Sequence, residues 1–234
     1  MLAWDKVSAY SGDLLPSFEM KNQILCYFDD LENLQSSNGL NDIWHESWRK
    51  YGWEPRVSNH TWLPDHPAHE EVQDHVKTLP TVNPRNYEEA CYLRWLPAET
   101  SGARFFTDMD VICNGLRPEH LEALCQTKAV SLIHNGCPAA VYMPPHFPIH
   151  EWILRYKPHH AWPENGQPHC SDQNMFLWLV QHKRESFVSI DLCKDYGDKG
   201  WESAPLIHFP TGACARHGGG RHKRQIIKDF LGIP

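Results

Sequence analysis

Short apolar runs alternate with amphipathic stretches along this chain. Residues 23–28 form a compact apolar block that reads as a first buried strand, ending at Asp29-Asp30. Residues 40–51 carry their apolar side chains at helical spacing, with Gly52 as a stop, and Glu54–Ser58 predicts a second short strand. Trp44, Trp48 and Trp53 follow that spacing, which favours core packing over a carbohydrate platform. Residues 59–70, rich in His and Pro, predict a loop. Helical patterns follow at 68–77 and 85–99, with Pro97 disturbing the second near its end. A strand at 103–107, an acidic pair and a further short strand come next.

Downstream, residues 118–127 predict a helix with proline in its first turn. Residues 129–134 and 139–143 read as strands about a Gly136 turn. Residues 171–182 form a strong helical pattern with Ser171 as N-cap and Asp172 in the first turn. Strands at 187–192 and 206–209 and a short helix at 225–231 complete the pattern. Strand and helix alternate without repeats or a clear linker, so the prediction is one α/β domain over residues 1–234. Its sheet is expected to be mixed, mostly parallel and flanked by helices, with a Gly-rich basic loop at 211–224.

Composition narrows the partners. The net charge is −7 with histidine neutral, so no overall basic character points to nucleic acid or an anionic membrane. The start of the chain lacks the pattern of a secretory signal and no apolar run approaches a membrane span, which predicts a soluble, cytoplasmic protein. Eight scattered cysteines include no Cys-x-x-Cys pair, and reduced thiols are the simplest reading. His66 with His69, and His159 with His160, are pairs without a complete ligand set around them. Trp162 would stack on a sugar only if it were exposed.

The chemistry concentrates in Arg104-Phe105-Phe106-Thr107-Asp108-Met109-Asp110-Val111-Ile112. Two carboxylates one residue apart, between apolar stretches, are costly unless a cation compensates them. Mg²⁺ or Mn²⁺ bound through one or two carboxylates and a substrate phosphate is the usual compensation. Arg94, on the preceding helix, can brace Asp108 or reach a sugar-phosphate; the plainer reading pairs it with Glu89 or Glu99. Arg216, Arg221 and Lys223 in the basic tail can neutralise a departing diphosphate, although a solvated cationic terminus or a polyanion contact would look the same.

The block "RW…SGARFFTDMDVI" resembles the Arg…Gly-Gly…Asp-x-Asp core of GT-A-fold glycosyltransferases, the group that includes yeast α-1,6-mannosyltransferases and capsular-polysaccharide enzymes. The motif core covers residues 87–112. Ala90-Cys91 stands where those relatives carry Ser-Asp, and Ser101-Gly102-Ala103 replaces their glycine pair. The resemblance implies a Rossmann-like GT-A domain and a metal-dependent transfer from a nucleotide-sugar, UDP- or GDP-linked, to an unidentified acceptor, with a glycan as one reading and, if the basic tail is a polyanion contact, DNA as another. It implies that Asp110 binds Mn²⁺ or Mg²⁺ at the catalytic centre. Asp108 contacts the donor or the metal shell, and Arg94 the donor region.

By the same resemblance His208 is a further metal ligand, a choice that suits Mn²⁺; the plainer reading is a core histidine bonded to a backbone carbonyl. Asp172 becomes the catalytic, acceptor-side carboxylate, or else only a helix-dipole partner. Tyr27, Phe28 and Asp29 become candidates to hold the donor base at the end of the first strand, with core packing the favoured reading for Phe28. Two other readings keep the residues and change the class. One is a metal-dependent phosphohydrolase or nuclease on Asp108, Asp110 and the histidines. The other is a non-catalytic nucleotide-sugar-binding protein.

Overall fold

The computed structural model describes residues 22–28, 39–121 and 128–233. The first strands are β1 (Gln23–Tyr27), β2 (Glu54–Ser58), β3 (Phe105–Thr107), β4 (Val111–Cys113), β5 (Val130–His134) and β6 (Cys137–Tyr142). The later ones are β7 (Trp162–Glu164), β8 (Gln167–His169), β9 (Phe187–Ser189), β10 (Cys193–Asp195) and β11 (Leu206–His208). Helices α1 (Leu40–Arg49), α2 (His69–Lys77), α3 (Arg85–Leu93) and α4 (Trp95–Thr100) come early. They are followed by α5 (Ile149–Arg155), α6 (Asp172–His182), α7 (Thr211–His217) and α8 (Lys223–Leu231).

A mixed six-stranded sheet in the order β2-β1-β3-β6-β5-β9 forms the centre. β1 runs parallel to both β2 and β3, β6 runs antiparallel between β3 and β5, and β9 is parallel to β5. Both faces are covered, and the side chains divide between them with the two-residue period of a strand. Ile24, Cys26, Phe105, Ile133 and Tyr142 join one core layer with α1 and α8, whereas Leu25, Phe106, Leu132 and Val141 join the other with α2–α6. A second sheet, β10-β11-β4, has β11 parallel to β10 and antiparallel to β4. The segment between β3 and β4 therefore carries the chain from one sheet to the other.

Leu40, Ile43, Trp44, Ser47 and Trp48 make the buried stripe of α1. All three predicted core tryptophans are buried, and each indole N–H is satisfied. Trp44 donates to Thr107 Oγ1 at 3.2 Å, Trp48 to the Val111 carbonyl at 3.2 Å, and Trp53 to the Leu116 carbonyl at 2.7 Å.

Several expectations change. The single helix predicted over 85–99 is two, α3 and α4, joined at Arg94. Pro97 has no N–H for the Leu93 carbonyl, so the ladder is interrupted there. The predicted loop at 59–70 contains a 3₁₀ helix, His60–Asp65, capped by the Asn59 side chain. The predicted loop at 211–224 is contradicted: α7 occupies its first half, and Lys223 begins α8. Positive φ in this stretch falls at Gly219 and Gly220, which turn the chain between the two helices. α5, β10 and the β7–β8 hairpin have no counterpart in the predicted pattern. Asp29, Asp30 and part of the helix predicted at 118–127 lie outside the described residues; Pro118–Leu121 is a 3₁₀ turn. Among the described residues no helix is long and apolar enough to cross a membrane, and the described cysteines are free.

Candidate functional site

Asp108-Met109-Asp110 forms a tight turn at the end of β3. The Val111 N–H donates to the Asp108 carbonyl at 3.1 Å, and the Asp108 N–H donates to the Ala139 carbonyl of β6 at 2.8 Å. Met109 is buried, and both carboxylates face a cleft of about 360 Å³. Its walls include Tyr87, Arg94, Asp172, Gln173, His208 and Thr211. The cleft lies where β3 and β11 end, the edge at which open α/β sheets bind ligands. A larger, more open depression on the outer side of α1, lined by Asn41, His45 and Arg49 among others, gathers no comparable set.

Arg94, at the junction of α3 and α4, bridges two carboxylates. It donates to Asp108 Oδ1 and, at 2.7 Å through Nη2 and 3.2 Å through Nε, to Asp172 Oδ2. The guanidinium also lies against the rings of Trp95 and Phe106. Neither Glu89 nor Glu99 is its partner. Asp172, the first residue of α6, is buried and takes a third bond from the Trp95 indole at 3.2 Å. Ser171 is the helix cap as predicted, with its hydroxyl accepting from the Asn174 N–H.

On the other side of the turn, Lys223 donates to Asp110 Oδ2 at 2.7 Å, and His208 Nε2 lies 3.5 Å from Asp110 Oδ1. His208 Nδ1 donates to Asp195 Oδ1 at 2.8 Å, so its partner is a carboxylate rather than a backbone carbonyl. His134 Nε2 reaches the same Asp195 oxygen at 3.2 Å.

These contacts set the charge states. Burial, joined by the neighbouring Asp110, outweighs Arg94 and holds the Asp108 carboxyl up at about 6. Burial acts the same way on Asp110, but His208 and Lys223 prevail and keep that carboxyl below its ordinary value. Burial disfavours a charged His208, yet Asp110 and Asp195 prevail and raise its proton affinity. Burial pushes the Cys137 thiol in the cleft wall up to about 12, leaving it neutral.

The donor set fits a divalent cation. Ligand atoms of Asp108, Asp110 and His208 all lie within 4.8 Å of one another. Lys223 shows that Asp110 already takes a cationic partner. Two carboxylate oxygens and one imidazole nitrogen are ligand types that divalent cations accept.

The other predicted residues that the structure describes fall outside the cleft. Tyr27 ends β1, beside β3, Phe28 follows it, and the two pack on opposite core layers; neither lines the cleft. Arg216 is exposed on α7. Arg221, expected to neutralise a diphosphate, is instead tied to Asp229 at 2.7 Å and to the Gly218 carbonyl at 2.9 Å.

His66 finds partners far along the chain, in the Glu99 carboxylate and the edge of the His150 ring. The Ala68 N–H donates to its Nδ1, so Nε2 carries the proton toward Glu99 and offers that cluster no lone pair. His160 stacks on Trp178 with ring centres 4.3 Å apart.

Tyr87, Asp195 and His134 were missed by the sequence reading. Tyr87 lies seven residues before Arg94 on α3 and is 46% exposed at the cleft, the conspicuous signal being an aromatic on the helix face that carries Arg94. Trp162 is 38% exposed on the hairpin that precedes Asp172.

Comparison of the sequence with models of known protein families and with curated proteins gives no match.

Proposed function

We propose that this chain is a metal-dependent glycosyltransferase of GT-A type that takes a nucleotide-sugar donor. The observation that carries the reading is the convergence of Asp108, Asp110, Arg94, His208 and Lys223 on one cleft at the end of β3. The mixed sheet flanked by helices is compatible with such a domain.

In this reading Asp110 and His208 hold the cation, with Asp108 completing its anionic side. A bound divalent cation supplies positive charge to the diphosphate leaving group. Arg94 fixes Asp108 and, through it, the shape of the donor side. Lys223 exchanges Asp110 for the diphosphate and neutralises the charge that develops as the sugar–oxygen bond breaks. Asp172 belongs to the acceptor side. One of its oxygens is committed to Arg94 and Trp95, so holding the acceptor hydroxyl is the role it fits. Tyr87 offers an exposed ring against which a sugar face can pack.

A thermal-stability screen of UDP-, GDP-, ADP- and CDP-sugars, with and without Mn²⁺, tests this. Ligand that binds the native state raises apparent stability with the logarithm of saturation. One nucleotide-sugar is expected to stabilise the protein only when Mn²⁺ is present. Stabilisation by none of them, or equally without metal, would refute the reading. Binding followed by hydrolysis of the diphosphate anhydride bond, giving nucleoside monophosphate and sugar 1-phosphate with no sugar freed or transferred, would favour a phosphohydrolase.

A further inference from the structure

Asp195 and His208 are register partners in the parallel pair of β10 and β11, each the last residue of its strand. The Tyr196 N–H donates to the His208 carbonyl at 2.8 Å, which fixes the two strand ends against each other. Their side chains meet through His208 Nδ1 and Asp195 Oδ1 at 2.8 Å. An ionised carboxylate only accepts, so the proton of a neutral His208 must sit on Nδ1. Its Nε2 then carries a lone pair, and this is the nitrogen that faces Asp110 and Asp108.

His134 reinforces the arrangement from the main sheet. Its Nε2 donates to the same Asp195 oxygen at 3.2 Å, and its ring lies edge-on to His208 with centres 5.1 Å apart. Two imidazoles therefore hold Asp195 Oδ1, and the His208 ring is packed against one of them. A carboxylate placed only to close a strand end would need neither.

We propose that Asp195 is the positioning residue of the cation site: it fixes the tautomer and the ring orientation of His208 so that Nε2 can ligate a divalent metal. The inference rests on the proposed cation site at Asp108, Asp110 and His208 and adds its supporting residue. An outer carboxylate that takes the second N–H of a ligating histidine raises the basicity of the ligand and fixes its direction. Asp195 acts through His208 alone and touches neither metal nor substrate.

The test is titration of the full chain with Mn²⁺ alone, reading free Mn²⁺ by electron paramagnetic resonance. The set is wild type, Asp195→Ala, Asp195→Asn, His208→Ala, Asp195→Ala/His208→Ala and Asp110→Asn. Asp195→Ala is expected to weaken Mn²⁺ binding about 10–100-fold. Asp195→Asn is expected to lose less, because its amide oxygen can still accept from Nδ1. In the His208→Ala background the Asp195 substitution is expected to change nothing further, as for residues coupled through one contact.

An Asp195 effect of equal size with and without His208 would overturn the positioning role and leave a simple effect of its charge. Wild-type affinity in both Asp195 variants, when Asp110→Asn has lost Mn²⁺, would overturn this inference while leaving the cation site standing. Absence of Mn²⁺ binding by the wild type, or unchanged binding in Asp110→Asn, would overturn the site and this inference together. Should Asp195→Ala not fold, Asp195→Asn with and without His208→Ala makes the same comparison.

Discussion

Arg94 is the residue on which the pairing of two cleft carboxylates depends. One guanidinium, against the rings of Trp95 and Phe106, holds the carboxylates of Asp108 and Asp172, which are themselves largely removed from water. Removing one member of such a set leaves buried charge without compensation. Arg94→Met is therefore expected to destabilise the protein by about 3–5 kcal/mol in urea unfolding. Arg94→Lys should fall between the two, because an ammonium cannot present the planar fork that spans both carboxylates. A loss below about 1 kcal/mol in Arg94→Met would show that the bridge is not formed in solution.

Asp108 gives a pH dependence with a definite sign. Its carboxyl is held at about 6 against an ordinary 3.8, so the folded chain binds this proton more tightly than the unfolded one. Ionisation between those values subtracts stability as pH rises. A cation that binds the ionised form offsets that loss. Stabilisation by Mn²⁺ should therefore be larger at about pH 7.5 than at about pH 5; the reverse order in thermal unfolding would contradict the assignment. Lys223 gives a prediction of opposite signs. Lys223→Ala should tighten binding of Mn²⁺ alone, since Asp110 loses a competing cation, while weakening the nucleotide-sugar. Parallel changes in both titrations would place Lys223 outside the diphosphate path.

The acidic pair, Arg94 and Lys223 were legible at this scale because charge in an apolar or basic setting stands out within a few residues. Asp195 and His134 were not, because each gains its meaning from a ring brought to it by another strand.

At the scale of elements, α1 holds the acidic turn from both sides. Trp44 donates to Thr107, just before Asp108, and Trp48 donates to the Val111 carbonyl, just after Asp110. The tryptophan spacing announced a buried helix face, and burial is what the structure has. That this face also braces the turn depends on which strands it meets, which spacing within one helix does not encode. Trp48→Phe keeps most of the apolar area but leaves the buried Val111 carbonyl without its indole donor. Its expected cost is about 1–3 kcal/mol, measured by chemical unfolding, together with weaker Mn²⁺ binding through a looser Asp110. Unchanged Mn²⁺ affinity in a destabilised Trp48→Phe would separate the core from the site.

Short strands are the hardest elements to read. β10 and β7 each have three residues, too few for a period to show, and both exist only through their pairing partners. The glycine-rich tail misled in the opposite direction, since Gly212 lies inside α7 and only Gly219 and Gly220 adopt the left-handed conformation.

At the scale of the whole molecule, the site lies where two sheets meet. β3 belongs to the six-stranded sheet and β4 to the three-stranded one, so Asp108 faces Arg94 from the first while Asp110 faces His208 and Lys223 from the second. The α/β class was legible from the alternation of apolar runs, and the acidic pair that lines the cleft from two carboxylates between apolar stretches. The division of that pair between two sheets was not, because strand order is set by contacts remote along the chain.

The most direct test is titration of Mn²⁺ onto wild type and Asp110→Asn in the presence of the nucleotide-sugar that stabilises the protein. A cation site built on Asp110 predicts saturable binding of one Mn²⁺ by the wild type, and in folded Asp110→Asn an affinity lowered by at least about tenfold. Equal affinity in the two proteins, or saturable donor binding that ignores Mn²⁺, would contradict it.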